Sequence, residues 1–212
     1  TLEQLKQFEL APFFTVTGNA PSAESTVDAL VTAHIRYQGF QENFRRTTKP
    51  VSFDPQAFSN LMVLPELNAW RSSGGVMISD SLGSRAVRRF YDPTGQTFNG
   101  RTVALEAFLA GNDLLYLDNF VSSGDPDSFT TISRTLDSFA LKYREDDAFA
   151  QRVDASVLRI LSLKYRIYGG RFSFNDTLPD TGLANQVGSG RQVVFDVARQ
   201  SATLISPLPS EL

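Results

Sequence analysis

Apolar positions along this chain alternate between helical spacing and short unbroken runs. Leu2, Leu5 and Phe8 fall on one face of a helix predicted over residues 1–14, with Glu3 suited to its first turn. Pro12 and then Gly18-Asn19-Ala20-Pro21 are read as its end. Val27–Ala33 reads as a short buried strand with His34 at its far end, followed by a polar loop rich in Asn, Arg and Thr. Asp54-Pro55 is a helix start, with Asp as N-cap and Pro at the first helical position. Phe58, Leu61 and Met62 give that helix its inner face, and Pro65 kinks or restarts it ahead of Leu67 and Trp70.

Gly75–Ser79 is a second strand. Val76, Met77 and Ile78 have too few polar neighbours for a sheet wet on one face, so they read as a parallel strand buried on both sides. A helical stretch over Leu82–Phe90, an Asp92-Pro93-Thr94-Gly95 turn and a helix over Arg101–Ala110 follow, the last turning Val103, Leu105, Phe108 and Leu109 inward. Gly111 stops it, and Asp113–Leu117 is a third short strand. Two helices close the region, over Ser128–Lys142 and Asp146–Tyr168. The second carries Phe149, Val153, Val157, Ile160, Leu161 and Lys164 at helical spacing and ends at Gly169-Gly170. Residues 171–189 mix Pro, Gly, Asn, Asp and Ser as a linker does, Gly190–Ser201 reads as a helix, and Ala202–Ser206 begins a strand.

Helices alternating with buried strands predict an α/β fold with a parallel sheet. Three such strands alone leave orphan backbone groups on both edges. At ~1–3 kcal/mol for each buried unsatisfied group, a few would consume a net stability of ~5–15 kcal/mol. The sequence is therefore expected to be part of a larger fold, in keeping with a chain that begins at Thr1 rather than Met.

Composition narrows the chemistry. The chain has 212 residues, 42% hydrophobic and 20% charged, with a net charge of −3 spread over interspersed acids and bases, which argues against a nucleic-acid binder. No apolar run approaches the roughly 18 residues of a membrane span. With no cysteine and one histidine, disulfides, thiolate sites, Cys nucleophiles and two-imidazole sites are excluded. Asp80 remains the most informative residue. It ends the second strand, at the rim where α/β folds place their chemistry, and is either an N-cap for the next helix or a working carboxylate.

Six segments, in order, resemble the family-3 glycoside hydrolases, most closely their β-N-acetylhexosaminidase branch. They are Leu10-Ala11-Pro12-Phe13; the strand ending Ala33-His34; Gly75-Val76-Met77-Ile78-Ser79-Asp80-Ser81-Leu82-Gly83; Ala110-Gly111-Asn112-Asp113; Arg159-Ile160-Leu161-Ser162-Leu163-Lys164; and Val197-Ala198-Arg199-Gln200-Ser201-Ala202-Thr203-Leu204. The resemblance implies the last three strands of a (β/α)8 barrel over residues 1–170, a linker over 171–189, and the start of a second α/β sandwich domain over 190–212. The earlier strands, and the Asp-x-His loop whose histidine is the branch's acid/base, would lie upstream. It further implies Asp80 as the nucleophile of a retaining exo-glycosidase that needs no metal or cofactor. The substrate would be a terminal β-linked N-acetylhexosamine of peptidoglycan or chitin fragments.

His34 is not in an Asp-x-His context, so the acid/base role does not transfer to it. His34, Arg36 and Asp118 are candidates for sugar contacts, each with a structural alternative. Arg85, Arg88 and Arg89 read chiefly as a solvated helix face. Ser81 stands where the branch commonly has a second acid, and Ser84 where it often has Met, which bears on sugar identity. A β-glucosidase or β-xylosidase of the same family and a non-catalytic carbohydrate-binding or structural subunit are the alternatives. Residues 1–212 alone are expected to be inactive, and an extracytoplasmic location is favoured over a cytoplasmic one.

Overall fold

The computed structural model describes residues 2–37, 49–171 and 173–201. The polar loop over 38–48 and the strand expected over 202–206 lie outside the described residues. The chain divides into two compact units, residues 1–167 and 168–212.

The first unit opens with α1 (Leu2–Gln4), a π-type turn over Leu5–Glu9 and α2 (Ala11–Phe14) rather than one continuous helix. The wider turn breaks the expected register, so Leu5 is buried while Phe8 faces solvent. Pro12 lies in the first turn of α2, where a missing N–H costs nothing, instead of ending the helix. β1 (Ala29–Thr32) then runs parallel to β2 (Val76–Ser79), with Leu30 beside Met77 and Val31 beside Ile78. Between them lie α3 (Pro55–Met62) and α4 (Pro65–Ser72). Asp54 caps α3 by accepting hydrogen bonds from the amides of Gln56 and Ala57 at 3.0 and 3.1 Å.

After β2 come α5 (Arg85–Tyr91), α6 (Gly100–Ala110), α7 (Ser128–Glu145) and α8 (Asp147–Ile167). The buried face of α6 is Val103, Ala104, Ala107 and Phe108, and Leu109 points out instead of in. Residues 113–117 lie parallel beside β2 but form only a single bridge, Leu114 to Ile78, and not the regular strand expected. The Ser79 amide donates to the Leu114 carbonyl at 2.9 Å and the Leu82 amide to the Tyr116 carbonyl at 2.9 Å. The Tyr116 amide, however, donates to the Ser79 hydroxyl oxygen at 2.9 Å. A side chain thus takes one ladder position, and the regular pairing stops there.

Helices pack on one face of this small sheet. Phe58, Trp70 and Met77 form one buried cluster there, and Leu82, Phe98, Val103 and Phe120 belong to another. The opposite face carries Val31, Ile78 and Leu114 side by side, with Val31 59% and Leu114 39% exposed and Tyr116 beyond them at 54%. Parallel sheets are ordinarily covered on both faces. Among the described residues, this one is left open around Val31, Leu114 and Tyr116.

At the end of the sheet where the strands begin, the Asp113 carboxylate is fully buried and meets three arginines. Arg71 of α4 grips it with both terminal nitrogens, and Arg152 and Arg159 of α8 reach it at 3.3 and 3.4 Å. The Met77 amide donates to it at 3.0 Å and the Ser156 hydroxyl at 2.7 Å. Burial alone would push this carboxyl up; the Arg71 hydrogen bonds, the Met77 amide, the Ser156 hydroxyl and the Arg71 charge outweigh it and hold it below its ordinary value. The inward side of α8 is therefore largely polar, and Val157 and Leu161 of its predicted apolar stripe are exposed.

The second unit contains a short 3-10 turn over Phe174–Thr177, α9 (Leu183–Gln186) and α10 (Arg191–Ser201), with no buried residue on α10.

Candidate functional site

Three of the site residues predicted from sequence, Asp80, His34 and Asp118, gather where β1, β2 and the 113–117 segment end. Asp80 follows β2 directly. Its amide donates to the Thr32 carbonyl at 3.2 Å, so the parallel ladder extends one residue past Ser79. Strand alternation then places Asp80 on the same face as Ile78, the open one. Its side chain is exposed, and Oδ1 accepts a hydrogen bond from the Ser81 amide at 2.7 Å. Oδ2 accepts none from any described residue. Asp80 does not cap α5; that position belongs to Ser84, whose hydroxyl oxygen accepts from the Val87 amide.

His34 sits across from it at the end of β1. Its Nε2 lies 3.0 Å from the Ser81 carbonyl oxygen and its Nδ1 2.7 Å from the Ser52 hydroxyl. A carbonyl oxygen can only accept, so Nε2 carries the proton and, in the neutral ring, Nδ1 accepts from Ser52. The imidazole also stacks on Phe53, centroids 5.2 Å apart, and Phe53 meets Tyr91 edge-on at 5.2 Å. With both nitrogens engaged, His34 offers no free ring nitrogen to a sugar hydroxyl, which speaks for the structural alternative of its two readings.

Asp118 is exposed, and its Oδ2 accepts from the Asn119 side-chain amide at 3.1 Å. Its backbone is tightly set against the loop after β2: the Ser81 hydroxyl reaches the Asp118 carbonyl at 3.5 Å, and a Cβ on Gly83 would lie 2.5 Å from the carbonyl carbon of Asn119. Arg36 stands apart from this contact set, with its guanidinium 4.8 Å above the Phe90 ring.

Two residues matter here beyond the four site candidates taken from sequence. Ser81 joins the group, since its amide holds Asp80, its carbonyl holds His34 and its hydroxyl touches Asp118. Arg88 is not part of a solvated face. It donates to the carbonyls of Gly83, Asn119 and Val121 at 3.1, 2.6 and 3.1 Å and lies 4.3 Å over Phe98, clamping the two loops that carry Ser81 and Asp118. Arg85 and Arg89 of the same helix are exposed, as expected.

Two apolar cavities flank this rim region without including Asp80. One of about 340 Å³ runs along β1, with Val31, Ile35, Phe13 and Met62 among its walls. Another of about 270 Å³ lies between residues 113–117, α7 and α8. Among the described residues no group of three or more His, Asp or Glu side chains could hold a metal, and no helix is long and apolar enough to cross a membrane.

No protein-family model matches the chain, and no curated protein matches it. Among solved structures it is similar to a glycoside hydrolase family 3 beta-N-acetylglucosaminidase from Paenibacillus sp. str. FPU-7, with a TM-score of 0.58 and 24% sequence identity over 85% of this chain. The chain spans 28% of that enzyme's length. The likeness shows a shared fold with a portion of that glycosidase.

Proposed function

We propose that these residues form part of a retaining exo-glycoside hydrolase that removes terminal β-linked N-acetylhexosamine, with Asp80 as nucleophile. The observation that carries the reading is the state of one carboxylate. Asp80 ends a parallel strand, its side chain is exposed, one oxygen is oriented by the Ser81 amide, and the other accepts no hydrogen bond from any described residue. In the reaction that oxygen attacks the anomeric carbon as the glycosidic bond breaks, and a proton donor on the opposite side protonates the leaving oxygen. Water then cleaves the glycosyl ester, giving up its proton to the same group and releasing the sugar with its anomeric configuration retained.

The proton donor belongs, on this reading, to polypeptide outside the described residues. His34, the sole histidine, is engaged through both ring nitrogens. The open face of Val31, Ile78, Leu114 and Tyr116 is consistent with further strands of a (β/α)8 barrel completing the sheet. Terminal N-acetylglucosamine is the sugar proposed, by likeness to the Paenibacillus enzyme's named activity, and peptidoglycan or chitin-type fragments are proposed as the substrates that would carry it. An extracytoplasmic location accords with them.

A second reading, a non-catalytic carbohydrate-binding or structural subunit, is favoured by the exposure of the Asp80 side chain. Activity separates the two. The longest polypeptide carrying these residues should hydrolyse aryl β-N-acetylglucosaminides in preference to aryl β-glucosides or β-xylosides. Asp80→Asn should lower turnover about a thousandfold or more with the fold intact. Near-normal turnover in that variant moves the nucleophile elsewhere, and an inactive wild type favours the subunit reading.

A further inference from the structure

We infer that His34 is a positioning residue for Asp80, acting through Ser81; the inference rests on the reading of Asp80 as nucleophile. Ser81 is bound on both of its backbone polar groups. Its amide donates to Asp80 Oδ1 at 2.7 Å, and its carbonyl accepts from His34 Nε2 at 3.0 Å. Without the imidazole, the Ser81 carbonyl keeps only the longer bond from the Ser84 amide, at 3.2 Å, so the turn that presents the Ser81 amide to Asp80 is held less firmly. The ring itself is held on two further sides. The Ser52 hydroxyl fixes Nδ1, Phe53 stacks on one face, and Ser52 is in turn anchored by the Asn112 side-chain amide, which donates to its carbonyl at 3.1 Å. Ser52 and Asn112 are both fully buried. A rigid, core-anchored imidazole therefore helps set the position of a half-buried loop residue, and through it the angle of the Asp80 carboxylate.

The arrangement has a catalytic consequence because nucleophilic attack depends steeply on approach geometry. A displacement of about 1 Å at the reacting carboxylate is worth about a hundredfold in rate. Binding of the sugar ring elsewhere in the pocket is untouched by such a displacement, so the loss falls on kcat and not on KM.

The test compares His34→Ala, His34→Gln and Ser52→Ala with wild type in the longest polypeptide carrying these residues. Turnover is read on an aryl β-N-acetylglucosaminide and hydrogen exchange on the Ser81 amide. Gln places an N–H near the position of Nε2 and restores the donor to the Ser81 carbonyl. His34→Ala should lower kcat about 10- to 100-fold with KM within about twofold. It should also speed Ser81 amide exchange about tenfold or more relative to a reference amide in α6. His34→Gln should recover both to within about fivefold, and Ser52→Ala, which leaves Nε2 in place, should fall between. Equal kcat and unchanged Ser81 exchange in His34→Ala overturn the inference. So does a folded His34→Gln that rescues stability without rescuing either readout, since that is the behaviour of a purely structural histidine. Wild type without turnover refutes the glycosidase reading alone; the exchange arm then still decides whether His34 holds Ser81 against Asp80.

Discussion

Replacing Asp113 by Asn should destabilise the first unit by about 3 kcal/mol, the lower end of the ~3–5 kcal/mol for removing one partner of a buried ion pair. The side chain is fully buried, whereas Arg71, Arg152 and Arg159 are 15%, 23% and 29% exposed, so solvent offsets part of the charge left behind. Asn keeps one oxygen for the Met77 amide but brings a donor group to face guanidinium donors. For a unit of this size the cost corresponds to a melting temperature about 6–12 °C lower, at ~2–4 °C per kcal/mol. Urea unfolding followed by circular dichroism reads the change directly.

A double substitution isolates the electrostatic cause. In wild type, Arg159→Gln removes the longest and most exposed of the three pairs and should cost under about 1 kcal/mol. In the Asp113→Asn background the same change relieves repulsion among three unpaired guanidiniums and should restore about 1 kcal/mol, reversing its sign. An Asp113→Asn protein within about 1 kcal/mol of wild type, or an Arg159→Gln effect of the same sign in both backgrounds, refutes the hub role assigned to Asp113.

Two further predictions concern the loops. Gly83→Ala drives a Cβ into the Asp118 carbonyl and the Asn119 backbone, which cannot yield as a flexible side chain would. It should cost about 1–3 kcal/mol and lower activity, and a variant melting with wild type would show that the two loops are not packed as described. Burial opposes ionisation of Asp92, but the Thr97 amide, the Thr94 hydroxyl, the Gln96 amide and the Thr97 hydroxyl outweigh it and bring its carboxyl down to about 2. Its folded value lies below the unfolded one, so its contribution to stability is fully present above about pH 4 and is lost as pH falls through about 2. Asp92→Asn should therefore be less stable than wild type at about pH 5, with the gap closing by about pH 2; a gap independent of pH contradicts this.

Local signals carried most of the element order. Asp54-Pro55 announced α3 because an N-cap and a proline act on their own neighbours, and Gly111 ended α6 with a φ of 142° that a side chain resists. Asp80 drew notice for the same reason, as an acid one residue beyond the apolar run Val76–Ile78. What escaped the sequence depends on partners distant along the chain. The 113–117 segment looks like a third strand, yet the Ser79 hydroxyl occupies one of its ladder positions. The stripe on α8 suggested an apolar inner face, whereas Arg152, Ser156 and Arg159 turn inward to a carboxylate about 40 residues earlier. His34 drew notice as the sole histidine, but nothing in its neighbourhood points to Ser52, which follows 18 residues later in the chain. Arg88 likewise looks solvated until the 119–121 backbone is seen to lie against it.

The central claim concerns the bond that Asp80 is proposed to form. A 5-fluoro N-acetylglucosaminyl fluoride, which forms a glycosyl ester faster than water cleaves it, should label the longest polypeptide carrying these residues. Peptide mass spectrometry should find one sugar on the peptide containing Asp80, with no label in Asp80→Asn. A sugar attached to another carboxylate, or continued turnover with Asp80 unlabelled, would contradict the account.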